Sequence, residues 1–376
     1  MSDAPSAPRN PQAGLAMRGG GYYSERTRGA KLVIDRALPL AQAAAPPAPG
    51  AAGPLRFADY GAADGGTSRE MWFSLIEGLR AAGDDREIVL TYTDLPSNDF
   101  STLFRTMQGL QGDPDLAYQA RFDGVYVHGC GTGFHRPLFP AGSLDFGFSA
   151  TAMHYLSQTP CDIPTHVHAV GAEGAAAEAF AAQAAADWER ILLARAHELK
   201  PGGRLVCVNF GIDGQGRWLG NTGGVDMFGA FAELWAAMRA RGEITQEEFA
   251  RATFAQYYRT QAEFTAPLDD PDSAVSRAGL RLLSASSLYT RCPYEEAFAR
   301  SDGAMSAADF AASLIPTMRS WSETVFRSAL DARPPEEAAA LVDAFYQAYE
   351  DRVAADPAGH AMDYIHIVLE IEKAAD

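Results

Sequence analysis

The chain is short of cysteine, of basic side chains and of long apolar runs, and each shortage removes a class of protein. Four cysteines in 376 residues, at 130, 161, 207 and 292, make no CxxC pair and no disulfide-like spacing. They read as reduced, packed thiols of a cytoplasmic protein. His166 and His168 stand near Cys161, but no fourth ligand follows at a suitable spacing, which argues against zinc. Lys and Arg number 31 against 48 Asp and Glu, a formal charge of −17. The clustered cations that displace counterions from a phosphate backbone are missing, so no nucleic-acid partner is expected. No apolar run is long enough to cross a bilayer, so no membrane partner is expected either. Residues 1–16 are rich in Pro, Ala and Ser, with Arg9 the only basic side chain before Arg18. They lack an apolar signal core and read as a disordered tail.

What is present suits a large globular core: 47% of residues are hydrophobic and 10% aromatic, an ordinary balance for a soluble fold. Residues 41–54 carry imides and glycines and little bulk, so they read as a loop between a short segment at 31–40 and the first strand. From there strands and helices alternate as in parallel sheets. Strands are expected at 55–60, 87–92, 122–128, 144–148 and 204–210, with helices near 68–82, 101–110 and 175–199. Lys200-Pro201-Gly202-Gly203 stops the last of these helices. Beyond Phe210 the pattern is mainly helical, from about 225 to 259 and from 305 to 349, with strands at 280–286 and 364–371. The order predicts an α/β fold with a mainly parallel seven-stranded sheet and an α-helical cap. The expected division is a lid segment and core over 17–220, a cap over 221–350 with one core strand near 280–286, and a closing core strand within 351–376.

Two acids stand at strand ends, where parallel α/β proteins bind ligands. Asp94 follows the strand at 87–92, and a carboxylate there can accept hydrogen bonds from both hydroxyls of a ribose. Asp59 and Gly61 follow the first strand, within Asp59-Tyr60-Gly61-Ala62-Ala63-Asp64-Gly65-Gly66-Thr67. This turn lacks GxGxxG, so a pyrophosphate-cradling loop is disfavoured. An adenosine ligand with a cationic tail fits an acid at this turn better, and S-adenosylmethionine is such a ligand. The set resembles class I (Rossmann-like) methyltransferases in general.

More specific motifs follow one another along the chain: Met17-Arg18-Gly19-Gly20-Gly21-Tyr22-Tyr23, Asp94-Leu95-Pro96-Ser97-Asn98-Asp99-Phe100, Leu138-Phe139-Pro140, Leu156-Ser157-Gln158-Thr159-Pro160 and Arg195-Ala196-His197-Glu198-Leu199. Together with Phe264-Thr265-Ala266-Pro267 they resemble the SABATH family of carboxyl and N-methyltransferases, over nearly the whole chain from Met17 to Lys373. The resemblance implies a class I core with a helical cap, S-adenosylmethionine as cofactor, a small carboxylic acid as acceptor and a homodimer. It implies that Asp94 and Leu95 hold the ribose, that Asp59 and Gly61 line the methionine end, and that Tyr23 and Thr27 close over the cofactor. Thr132 and Phe134 fall at the adenine, with Gly133 an extra residue in that stretch, and Ser149 is grouped with the cofactor residues.

Ser149-Ala150-Thr151-Ala152-Met153-His154-Tyr155-Leu156-Ser157 places Thr151, His154 and Tyr155 at the acceptor, with Tyr155 in place of the family's Trp. His154 and Tyr155 are expected to orient the reacting carboxylate; the alternative is a buried pair without function at the start of a helix. Phe228 and Trp235 are candidates for the acceptor wall, although their spacing equally suits a core helix face. The family's carboxylate-binding Gln falls on Ala30. Ala262 and Thr265 replace acidic and Asn positions beside Phe264, which speaks against a metal. The expected activity is O-methylation of a small, possibly aromatic acid. The alternatives are N- or S-methylation of a small metabolite, or cofactor binding without catalysis.

Overall fold

The computed structural model describes Pro8, Arg9 and residues 20–375, apart from the side chains of Tyr23 and Glu25. The Met17-Arg18-Gly19 stretch, the side chain expected of Tyr23 and most of the expected tail therefore lie outside the described residues. Arg9, within that tail, pairs with Thr159 in an isolated antiparallel bridge and meets Asp162 in an ion pair.

Among the described residues one eight-stranded sheet organises the chain. Its strands are β1 (Leu55–Tyr60), β2 (Ile88–Asp94), β3 (Val125–Gly131), β4 (Leu144–Ala150), β5 (Leu199–Ile212), β6 (Arg259–Thr260), β7 (Leu280–Thr290) and β8 (Tyr364–Lys373). The order is β3-β2-β1-β4-β5-β8-β7, with the two-residue β6 pairing β5. The sheet is parallel except for β8, which runs antiparallel to β5 and β7. Strand order reverses between β1 and β4, so a crevice opens there beyond their carboxyl ends.

Both faces of the central strands β1, β2, β4, β5 and β8 are covered, which explains their near-continuous apolar runs. Phe57, Phe146 and Phe148 meet Trp72 of the helix Arg69–Ala81 on one side. Tyr60, Leu205 and Cys207 belong to a second cluster with Trp188, Ile191 and Leu192 of the helix Gly174–Glu198. That helix ends immediately before β5, and within the first residues of β5 Gly202 takes φ +76° where the pairing with β4 is irregular. Without a Cβ, Gly202 adopts this left-handed conformation at no steric cost.

Three local expectations differ from the structure. The helix Arg28–Ala44 runs into the segment expected as loop, because Ala41-Gln42-Ala43-Ala44 favours helix and the first imide after it is Pro46. It buries a stripe of small residues, including Gly29, Ala30, Ala37 and Ala41, which lets it lie close against β4, β5 and β8. The helical stretch expected over 225–259 breaks into Met227–Ala240 and Gln246–Arg251. After it the chain is extended through Phe254, Tyr257 and Tyr258, bulky residues that pack better in extended backbone. His154 and Tyr155 lie in a turn with a bridge, not at the start of a helix.

Candidate active site

β1 delivers Asp59 to the crevice, buried at 3% exposure. Its Oδ2 accepts hydrogen bonds from Ser68 Oγ at 2.6 Å and Trp72 Nε1 at 2.8 Å. Burial nevertheless pushes its carboxyl up to about 6, against those two bonds and with help from the nearby Asp94 charge. Behind it the backbone turns through Gly61 at φ +77° and Ala63 at φ +50°. A Cβ on Gly61 would stand 2.3 Å from the Ala152 methyl, so only glycine fits where this turn approaches the β4 loop. Asp59, Gly61, Ala63, Ser68 and Thr151 line a small polar cavity.

Asp94 ends β2 and stitches two turns together. Its Oδ2 accepts from Ala63 N at 2.7 Å and its Oδ1 from Leu95 N at 2.7 Å, while Asn98 Nδ2 donates to Ala63 O at 2.7 Å. Burial raises its carboxyl above the ordinary range. Each oxygen retains a second lone pair for a ligand hydroxyl. Two carboxylates, Asp59 buried and Asp94 half-buried, one at each strand end, with small residues between them, fit an adenosyl group carrying a cationic tail. In that pose Asp59 would face the cation and Asp94 the ribose. Among the described residues no three His, Cys, Asp or Glu side chains are grouped to hold a metal ion.

The segment Gly20–Ala30 crosses this crevice. Ser24 N donates to Asp64 Oδ2 at 3.1 Å, and Gly20 N to Asp99 Oδ2 at 3.2 Å. The Arg26 carbonyl accepts from Tyr294 Oη at 2.7 Å and Thr317 Oγ1 at 2.8 Å on helices of the C-terminal half. Thr27 and Ala30 follow, both buried.

Phe134 lies close to Gly61 and stacks on His135 with ring centroids 4.7 Å apart. Its loop is fastened by a buried ion pair from the Arg195–Glu198 motif. Arg195 donates to Glu198 at 2.6 and 2.8 Å, to Phe134 O at 2.9 Å and to Arg136 O at 3.0 Å. Glu198 also accepts from Tyr60 Oη at 2.7 Å and from the backbone N–H groups of Leu138 and Phe139. The pair meets the requirement of buried charges, that their remaining donors and acceptors be satisfied.

A second cavity opens between the sheet and the C-terminal helices. Its wall is Thr27, Ala30, Thr151, His154, Tyr155, Phe210, Leu219, Gln256, Tyr258, Trp321, Met362 and Tyr364. Rings dominate it, and no Lys, Arg, Asp or Glu is among these residues. Thr151 lines both cavities, and it holds φ +52°. A β-branched residue in this conformation stores strain of about 1–3 kcal/mol, which functional sites commonly retain. His154 is 2% exposed, its ring lies against Tyr155 and Phe210, and its Nδ1 has no partner. Burial, then the nearby His366, His168 and Arg259, hold its pKa well below 6.5, so the ring is neutral.

The structure thus brings Asp59, Gly61 and Thr151 to one cavity, and Thr27, Ala30, Thr151, His154 and Tyr155 to the other. Asp94 and Leu95 line neither, but Asp94 accepts from the backbone N–H of Ala63, which lines the first. Thr132 follows β3 in the chain and is partly buried. Ser149 is fully buried, and its hydroxyl donates to Tyr60 O at 3.0 Å; it lines neither cavity. Phe228 and Trp235 also stand outside both linings. Phe228 stacks on His168 at 4.1 Å, one ring behind Tyr258, and Trp235 packs on Phe326 and Phe345. Sequence reasoning missed Gln256, Tyr258 and Trp321. The capping box at Thr245 and Glu248 marks the start of the short helix that precedes Gln256 and Tyr258.

A model of a family described as SAM dependent carboxyl methyltransferase matches residues 75–374. Similar curated proteins include indole-3-acetate O-methyltransferase 1 of Arabidopsis thaliana, 36% identical over 144 residues, 35% of this chain and 37% of that protein. O-methyltransferase acrG of Aspergillus aculeatus is 33% identical over 204 residues, 51% of this chain and 50% of that protein. A benzoic acid/salicylic acid carboxyl methyltransferase of Petunia hybrida is 29% identical over 133 residues, 34% of this chain and 37% of that protein. The chain thus spans half or less of the length of these three relatives. The solved structure of loganic acid methyltransferase with SAH has the same fold, with a TM-score of 0.70, 95% of this chain and 98% of that chain covered, and 17% identity.

Proposed function

The chain belongs to the family of S-adenosylmethionine-dependent carboxyl methyltransferases, and from that premise we propose that it converts a small acid with a flat, apolar body to its methyl ester. One observation carries the reading: an acidic cavity suited to a cationic nucleoside meets a ring-lined, uncharged cavity at the shared residue Thr151. Relatives named for indole-3-acetate and for benzoic or salicylic acid support an aromatic acceptor. We extend the reading to a homodimer acting in the cytoplasm, with residues 221–350 as the cap over the acceptor.

S-adenosylmethionine, when bound, supplies an electrophilic methyl group on a sulfonium. A carboxylic acid with a solution pKa of about 4 is already ionised at neutral pH, so no side chain has to remove a proton. The task of the cavity is to hold one carboxylate oxygen about 3 Å from the methyl carbon and to exclude water. Such positioning contributes roughly 7–11 kcal/mol. Neutral donors suit this task, because a direct Arg or Lys pair would draw charge from the attacking oxygen. Tyr155 and the neutral His154 orient the acceptor, and the rings of Phe210, Tyr258 and Trp321 enclose its body. The unpartnered Nδ1 of His154 favours one second reading, N-methylation with that nitrogen accepting the proton.

Methyl-labelled S-adenosylmethionine offered with a panel of aromatic, indolic and aliphatic acids tests the proposal. Base-labile label supports ester formation. Base-stable label establishes N-methylation instead, and cofactor binding with no transfer across the panel leaves a binding protein.

A further inference from the structure

We propose that Gln256 binds and orients the acceptor carboxylate, with Tyr155 beside it; the inference rests on the carboxyl reading above. The argument starts from the backbone. Tyr155 and Gln256 are partners in an isolated antiparallel bridge. The flanking hydrogen bonds run from Leu156 N to Ala255 O at 2.8 Å and from Tyr257 N to His154 O at 3.0 Å. These bonds bracket the pair without joining it, so it is the narrow, non-hydrogen-bonded kind, with Cα atoms about 4.5 Å apart. Side chains of such a pair leave the backbone on the same face, and both line the acceptor cavity.

The orientation of the amide is also set. Tyr258 Oη donates to Gln256 Oε1 at 3.4 Å and His168 lies within side-chain hydrogen-bonding reach of the same amide, so the amide is engaged through its oxygen and its Nε2 hydrogens are what it can offer a ligand. Gln256 is 2% exposed, so an acceptor oxygen meeting it is removed from water, where a hydrogen bond to a charged group counts for more. Ala30, on another part of the wall, contributes only a methyl, and no cation lines the cavity. Tyr155 follows Thr151 by one turn, with Tyr155 N donating to Ala152 O at 3.1 Å. The Tyr155–Gln256 pair therefore stands near Thr151, where the two cavities join. Leu219, Trp321 and Met362 add apolar wall, and with no cation on the lining a second carboxylate would meet no opposite charge, which favours monocarboxylates over dicarboxylates.

Steady-state kinetics of Gln256→Leu and Gln256→Glu test this, using whichever acid the wild-type protein esterifies. Gln256→Leu should raise KM for the acid about 10- to 100-fold, the loss expected for one hydrogen bond to a charged group, with KM for S-adenosylmethionine unchanged. Gln256→Glu, close in size, should be worse at pH 8 and recover as pH falls and the introduced carboxyl gains a proton to donate. A residue that merely packs would show no such recovery. Either variant, binding the cofactor normally and keeping the wild-type KM for the acid, overturns the role of Gln256 while leaving ester formation intact. A wild-type protein that esterifies no acid overturns both readings.

Discussion

Asp59→Asn should make the ligand-free protein more stable and its cofactor binding weaker. Burial moves the Asp59 carboxyl from its ordinary 3.8 to about 6, which at about 1.4 kcal/mol per pH unit is about 3 kcal/mol. The folded state disfavours the ionised form. Below pH 3.8 both folded and unfolded states carry the proton and no penalty arises. As pH rises through about 6 the penalty grows to its full size, because the unfolded chain ionises first. Asparagine can keep the bonds from Ser68 and Trp72 at its carbonyl oxygen and never ionises. At pH 8 the variant should therefore gain up to about 3 kcal/mol in urea denaturation, and at pH 4 it should gain little. The cationic ligand reverses the balance: wild-type affinity for S-adenosylmethionine should fall about tenfold per pH unit below 6, and calorimetry should show proton uptake by buffer on binding. A variant no more stable than wild type at pH 8, or wild-type affinity level from pH 5 to 8, would refute the assignment of this buried carboxyl.

Three further outcomes follow from other contacts. Asp94→Ala should weaken cofactor binding by roughly 1.5–3 kcal/mol, the range for hydrogen bonds to a charged group; unchanged affinity in calorimetry would remove it from the ribose. Arg195→Met should destabilise the fold by about 3–5 kcal/mol, because Glu198 would stay buried without its partner. The double variant Arg195→Met, Glu198→Gln should lose less, and equal losses in denaturant melts would contradict the buried pair. Gly61→Ala should cost about 1–2 kcal/mol for the left-handed conformation and a further ~1–3 kcal/mol for crowding Ala152, read as a lower melting temperature with weaker cofactor binding.

The strand ends that carry Asp59 and Asp94 were legible because their signals are local. Asp59 and Asp94 each sit at the end of an apolar strand, and the expected bounds of β1, 55–60, are those observed. The Lys200-Pro201-Gly202-Gly203 stop likewise carries its own backbone chemistry. The acceptor side depends on pairs distant in sequence. Gln256 faces the cavity only because its backbone pairs with Tyr155, and nothing within residues 252–260 signals that partner. Phe228 and Trp235 show the converse: their helical spacing marks a buried face, but the sheet and neighbouring helices decide which rings reach a ligand. Pro39 and Pro316 lie inside helices, where tertiary packing outweighs the imide's local preference.

The stretch from Gly20 to Ala30 touches the acidic turn through Ser24, the C-terminal helices through Arg26, and the acceptor cavity through Thr27 and Ala30. Cofactor and acceptor thus share one door. If this stretch moved as one piece, hydrogen bonds on both sides would break together, and spent cofactor and product would leave in the same opening event. Turnover would then be timed by this hinge and not by the methyl transfer, and loosening Tyr294 or Thr317, far from the reacting atoms, would change the exchange of both ligands at once.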